Sequence, residues 1–182
     1  NAFAGFQPFT AVPGMDRLQN LFADAGEPLF EVVVASHDGL PVPSLSGQAL
    51  QAEVALEQVA RTDLVLIPGF LFTLREALPG FHRYRDWLRQ QHASGRLIGA
   101  FCSGVLLLAN AGLLDGRACT THWMHADKLA RMYPTARVDR DVLFVDDGNL
   151  ITSAGTAAGI DACLHLVRRE DARREAELVQ PR

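Results

Sequence analysis

Cysteine is scarce and poorly placed for cross-linking: Cys102, Cys119 and Cys163 are the only three, and no C-x-x-C pair occurs. An odd count at wide spacing excludes a disulfide framework and supplies no zinc ligand set, so reduced thiols in a cytoplasmic protein are expected. Long apolar runs are missing as well. Leu64 to Ile67 and Val105 to Leu108 fall far short of what a bilayer demands, and no charged-then-apolar leader opens the chain, so a soluble protein without membrane contacts is expected. Positive charge is not in surplus. With 17 Lys and Arg against 21 Asp and Glu, a net charge of -4 does not suit a phosphate backbone, and these residues are not expected to bind nucleic acid themselves. The basic cluster Arg168, Arg169, Arg173 and Arg174 is interleaved with Glu170, Asp171 and Glu175 and reads as a solvated helix face. Internal repeats and low-complexity tracts are also absent.

What is present is a chain of 182 residues, 48% of them hydrophobic, enough for one core and short for two. A single domain over residues 1–182 is expected. The runs Leu29-Phe-Glu-Val-Val-Val-Ala35, Asp63-Leu-Val-Leu-Ile-Pro-Gly69 and Arg96-Leu-Ile-Gly-Ala-Phe101 are continuously apolar instead of alternating, as in parallel strands buried on both faces. Helical patterns cover Asp16 to Ala25, Val54 to Ala60, Phe81 to His92, Ser103 to Ala111 and His125 to Met132. This alternation predicts an α/β fold: a doubly wound, mostly parallel sheet with helices on both faces. Asp146-Asp-Gly148, between Val142-Leu-Phe-Val145 and Asn149-Leu-Ile-Thr152, predicts a small β-hairpin. A last helix is expected from about Thr156 to Arg169, with Ile160, Cys163, Leu164 and Val167 on one face. Asn1 to Phe9 reads as loop, where a sheet of this kind normally opens with a buried strand.

Cys102 stands where an apolar strand meets a helix, with the small residues Gly99, Ala100, Ser103 and Gly104 around it. Such a turn lifts a side chain clear of the sheet, and a helix N-terminus there favours a thiolate and lowers its pKa. The plainer alternative is a small buried hydrophobe, a common fate of free cysteine. Two features favour the first reading. Strand ends converge on one crevice in an open sheet, so the backbone N–H groups of Gly69, Phe70 and Ser103 could form an oxyanion-type cradle beside Cys102. Thr120-Thr-His-Trp123 then brings in His122, as a base or as a hydrogen-bonded wall of the pocket. His122 and His125 lack companions with ligand spacing, apart from Asp127, and read as a helix start instead of a metal site.

Five ordered motifs together carry a resemblance: Gly99-Ala-Phe-Cys-Ser-Gly104, Ala109-Asn-Ala-Gly-Leu-Leu-Asp-Gly-Arg117, Thr120-Thr-His-Trp123, Leu143-Phe-Val-Asp-Asp-Gly148, and Thr152-Ser-Ala-Gly155 with Ala158-Gly-Ile-Asp161. They resemble the ThiJ/PfpI branch of the class I glutamine amidotransferase-like superfamily, and more narrowly the N-terminal domain of AraC-type transcriptional regulators. The likeness is strong from Leu64 to Arg169. It implies a flavodoxin-like fold, a homodimer, and one pocket formed by Cys102, Gly69, Phe70 and His122, with Phe9, Thr10 and Thr121 as further pocket candidates.

The sequence also departs from its enzymatic relatives. Ser103 stands where peptidase-type members place a histidine, and His165 lacks the His-x-Glu pattern of glutaminases. Hydratase and glyoxalase-like members carry an early acid beside the cysteine, yet Phe9 or Thr10 takes that place and no Asp or Glu precedes Asp16. Without it, acid/base chemistry needs another group within hydrogen-bond reach. The expectation is a ligand-sensing, dimerising domain with a non-catalytic or weakly active pocket. It would bind an unknown small molecule without metal or cofactor and reach DNA only through a downstream domain, after a hinge at about residues 170–182. The alternative is a freestanding small-molecule enzyme, a hydratase, glyoxalase-like enzyme or amidase, using Cys102 as nucleophile. A third reading is a scaffold whose pocket is vestigial.

Overall fold

The computed structural model describes residues 32–43, 49–59, 62–69, 81–155 and 157–179. The helix expected at Asp16 to Ala25 and the pocket candidates Phe9, Thr10 and Phe70 lie outside those residues.

In chain order the elements are β1 (Ala35–Ser36), β2 (Val42–Pro43), β3 (Ala49–Leu50), β4 (Val54–Ala55), β5 (Leu64–Ile67), α1 (Phe81–Ala93), β6 (Leu97–Phe101), α2 (Val105–Asn110), β7 (Ala118–Cys119), α3 (Trp123–Met132), β8 (Arg137–Val138), β9 (Phe144–Asp147), β10 (Leu150–Ser153) and α4 (Ala157–Val179). The main sheet runs β5-β6-β10-β9. Its first three strands are parallel, with Leu64 opposite Leu97 and Ser153 opposite Phe101, and β9 joins antiparallel. Two-stranded ladders join β1 to β4, β2 to β3 and β7 to β8.

Both faces of the sheet are covered. All five residues of β6 are buried, which explains its unbroken apolar sequence. One set of its side chains, Ile98 and Ala100, packs with Ile67 and Leu150 against Tyr84 and Leu88 of α1 and Val105 to Ala109 of α2. The opposite set, Leu97 and Phe101, packs with Ile151 against Ala162 and Leu166 of α4. Full burial of a Leu or Ile side chain contributes about 1.5–3 kcal/mol, so β6 anchors the fold from both sides.

Three local expectations are corrected. Val54 to Ala60 is not a helix: Val54 and Ala55 pair in parallel with β1, and only a 3₁₀ turn, Leu56–Gln58, follows. The Gln58 side chain accepts the Ala55 N–H at 2.9 Å and ends the ladder there. The expected hairpin is present, its first strand two residues and its second one residue further along, because the close pair is Asp147 with Leu150 and the two-residue turn is Gly148-Asn149. Gly148, at φ 74°, supplies the positive φ that such a turn requires. The last helix continues to Val179 and is rotated from the expected face: Val167 is buried and Cys163 packs against the core as expected, but Ala158, Ala162 and Leu166 complete the inner face, while Ile160 is 56% and Leu164 37% exposed. Small side chains at 158 and 162 let the helix lie close to Phe101 and Ile151, a fit that bulkier residues do not offer.

Candidate functional site

The chain leaves β6 at Phe101 in extended conformation and enters a 3₁₀ turn, Cys102–Gly104, before α2. Cys102 sits at φ 53°, the sole positive φ on a non-glycine among the described residues. That conformation costs a residue with a Cβ roughly 1–2 kcal/mol, so the surroundings must impose it. The end of β5 does part of this. A Cβ on Gly104 would lie 2.5 Å from the carbonyl oxygen of Pro68 and 2.8 Å from that of Ile67. Only glycine lets the turn pass that strand end. A Cβ on Gly69 would stand 3.3 Å from the Cys102 Cβ and 3.7 Å from its Sγ, so the Pro68-Gly69 corner lies directly beside the cysteine.

Cys102 is half-buried and Ser103 is buried, and the Ser103 hydroxyl and backbone N–H both hydrogen-bond the thiol. Burial nevertheless pushes the Cys102 pKa up, and the two Ser103 contacts offset this only in part. The expectation of a lowered pKa is thereby corrected. Cys102 opens a 3₁₀ turn that leads into a helix of only six residues, so desolvation outweighs the benefit of aligned peptide dipoles.

The Thr-Thr-His segment meets this turn from the other side. Thr121, buried, donates from Oγ1 to the Cys102 carbonyl at 2.6 Å. The Thr120 N–H donates to Thr152 Oγ1 of β10 at 2.9 Å. His122 is the N-cap of α3, its Nδ1 accepting the Met124 N–H at 3.2 Å and its carbonyl accepting the His125 N–H at 2.7 Å. His122 thus commits Nδ1 to the helix cap. The His122 ring lies against the chain at Gly155, where a Cβ would fall 2.1 Å from His122 Cδ2 and 2.7 Å from Nε2. Because β10 runs parallel beside β6 and ends at Ser153 opposite Phe101, Gly155 and Cys102 leave neighbouring strands at the same edge.

The structure thus brings Gly69, Cys102, Ser103 and Thr121 together, with His122 on the adjoining segment. Gly155 escaped the sequence reading, although its motif was there to be seen: only a residue without a side chain admits the ring. His125 lies 5.7 Å from His122 between ring centroids, and burial, the His122 charge and Lys128 hold its pKa down. No group of three or more His, Cys, Asp or Glu able to hold a metal occurs among the described residues. No described helix is long and apolar enough to cross a membrane.

Comparison with known proteins adds three findings. The HTH-type transcriptional regulator CdhR of Pseudomonas aeruginosa is 37% identical over 139 residues, covering 76% of this chain and 40% of the regulator, so the chain spans about two fifths of that protein's length. The isonitrile hydratase of Pseudomonas putida is 33% identical over 176 residues, covering 97% of this chain and 75% of the hydratase. The crystal structure of an AraC family transcriptional regulator from Pseudomonas putida superposes with a TM-score of 0.75 at 25% identity, covering 92% of this chain and 88% of that one. The fold is the flavodoxin-like, class I glutamine amidotransferase-like one. Matched over residues 7–169, the chain belongs to the DJ-1/PfpI family.

Proposed function

We propose that the chain is the ligand-sensing and dimerising domain of a cytoplasmic AraC-type transcriptional regulator, with a non-catalytic or weakly active pocket. The observation that carries this is the setting of Cys102: a half-buried thiol, hydrogen-bonded by Ser103, whose pKa burial pushes up. A thiol of that kind is a weak nucleophile at neutral pH. In this reading Cys102, Ser103, Gly69, Phe70, Phe9, Thr10, Thr121 and His122 line the pocket. Residues 1–182 form one domain with a hinge at about 170–182, and DNA is bound by a separate part of the protein. The likeness to CdhR supports this, as does the net charge of -4, which leaves DNA contacts to other residues.

The second reading is a small-molecule enzyme with Cys102 as nucleophile, favoured by the 75% coverage of the isonitrile hydratase. Two experiments separate them. Sequencing the gene beyond the Arg182 codon is expected to reveal a helix-turn-helix pair; a stop codon, or continuation into another fold, would sink the regulator. Incubation of the purified chain with isonitriles, dicarbonyls and amides is expected to give no turnover above that of Cys102→Ala. Turnover lost in that variant would establish the enzyme instead.

A further inference from the structure

Cys102 holds a conformation that its own side chain disfavours, and two kinds of contact surround it. Gly69 and the carbonyls of Ile67 and Pro68 bear on the turn by close approach alone. Hydrogen bonds do the rest. The Cys102 carbonyl accepts the Val105 N–H from within the turn and the Thr121 hydroxyl from outside it. Thr121 is itself fixed, because Thr120 is tied to Thr152 of β10 and His122 caps α3. The Thr121 hydroxyl stands 2.6 Å from that carbonyl, a short contact in a part-buried setting.

We propose that Thr121 is a positioning residue whose hydroxyl clamps the Cys102 carbonyl, holds the turn at its positive φ and so sets the reactivity of the thiol. This rests on Cys102 being the centre of the site, and holds whether that site senses or catalyses. It also joins the cysteine turn to β10 and to α3. Displacement of either partner would therefore be felt at the sulfur.

The test is alkylation of the whole 182-residue chain by iodoacetamide across the pH range, read at the Cys102 peptide by mass spectrometry, with the Cys119 and Cys163 peptides as internal references. Thr121→Ser keeps the hydroxyl and is expected to keep the wild-type pH profile. Thr121→Val removes it at nearly equal volume and is expected to slow Cys102 alkylation about tenfold and move the pH midpoint, in line with the loss of one buried hydrogen bond. Thr152→Val breaks the Thr120 bond and so loosens Thr121 only at one remove; it is expected to shift the Cys102 profile in the same direction but by clearly less than Thr121→Val, while the Cys119 and Cys163 references report any general loss of stability. A Thr121→Val profile that superimposes on the wild type, or a Thr152→Val profile that shifts equally, overturns the clamp. If Thr121→Val does not fold, Thr121→Ala takes its place, and collapse of both would make Thr121 a residue of folding alone and overturn the proposal as well. None of these readouts depends on turnover, ligand or DNA, so the clamp and the regulator reading can fail separately.

Discussion

At the scale of single residues, the site depends on two glycines that are needed for different reasons. At Gly104 an added Cβ meets backbone oxygens, which cannot step aside; at Gly155 it meets the His122 ring, which can. Gly104→Ala is therefore expected to cost more than about 2 kcal/mol in urea unfolding, as overpacking against a fixed neighbour does. Gly155→Ala should cost far less and instead swing His122 off its cap, visible as a moved His122 imidazole signal in NMR spectra. Equal stability losses in the two variants would refute this distinction. The two other thiols make a second prediction. Burial, joined by the Asp147 charge, pushes Cys119 up to about 11, and burial pushes Cys163 to about 11. A folded-state pKa above the unfolded one, near 8.5, means that the native state binds the proton more tightly. That stability is fully present below about pH 8.5 and is lost as pH rises toward 11. Urea midpoints should thus fall over this window, and less steeply in Cys119→Ala; a flat dependence would show that the thiols titrate alike folded and unfolded.

At the scale of elements, α4 is the decisive case. Its sequence offers two apolar faces, and the bulkier one, Ile160 with Leu164, faces outward. The sheet surface of Leu97, Phe101 and Ile151 takes the alanine face. Ala162, fully buried, should not tolerate enlargement: Ala162→Leu is expected to lower stability by about 1–3 kcal/mol, while Ile160→Ser should change it by less than about 0.5 kcal/mol. Thermal unfolding of the two variants checks this, and the reverse order would restore the face expected from the sequence. The same helix is fastened to the hairpin. Asp146 on β9 meets His165 Nε2 at 2.6 Å and Arg169 at 3.0 Å, and Arg169 also donates to the Gly148 carbonyl at 2.7 Å. This pins the Gly148 turn to α4. Past Arg169 the helix carries an i, i+3 pair, Arg173 with Glu170 at 2.9 Å.

At the scale of the whole molecule, charge and layer order decide what the chain can meet. With a net charge of -4, duplex DNA should not be retained by the purified chain at about 150 mM salt, the range in which phosphate contacts are already weakened. Fluorescence anisotropy checks this; micromolar binding that falls steeply with added salt would mean that the domain itself carries a DNA face. The layers, α1 and α2 on one side and α4 on the other, were legible beforehand, because a strand buried on both faces must be apolar throughout and β6 is. The cysteine turn was legible too, since the small residues around Cys102 and the Pro68-Gly69 corner are local signals.

What stayed hidden depends on contacts between segments far apart in the chain. Val54 and Ala55 were drawn into a strand by β1, and the inner face of α4 was chosen by the relief of the sheet, neither of which periodicity can encode. The sequence by itself determined that Cys102 ends an apolar strand. Only the tertiary structure decided the state of its thiol, because a pKa reports the solvent a group has lost and the partners it has gained: here burial outweighs Ser103, while Thr121 holds the backbone and His122 spends a nitrogen on a helix cap.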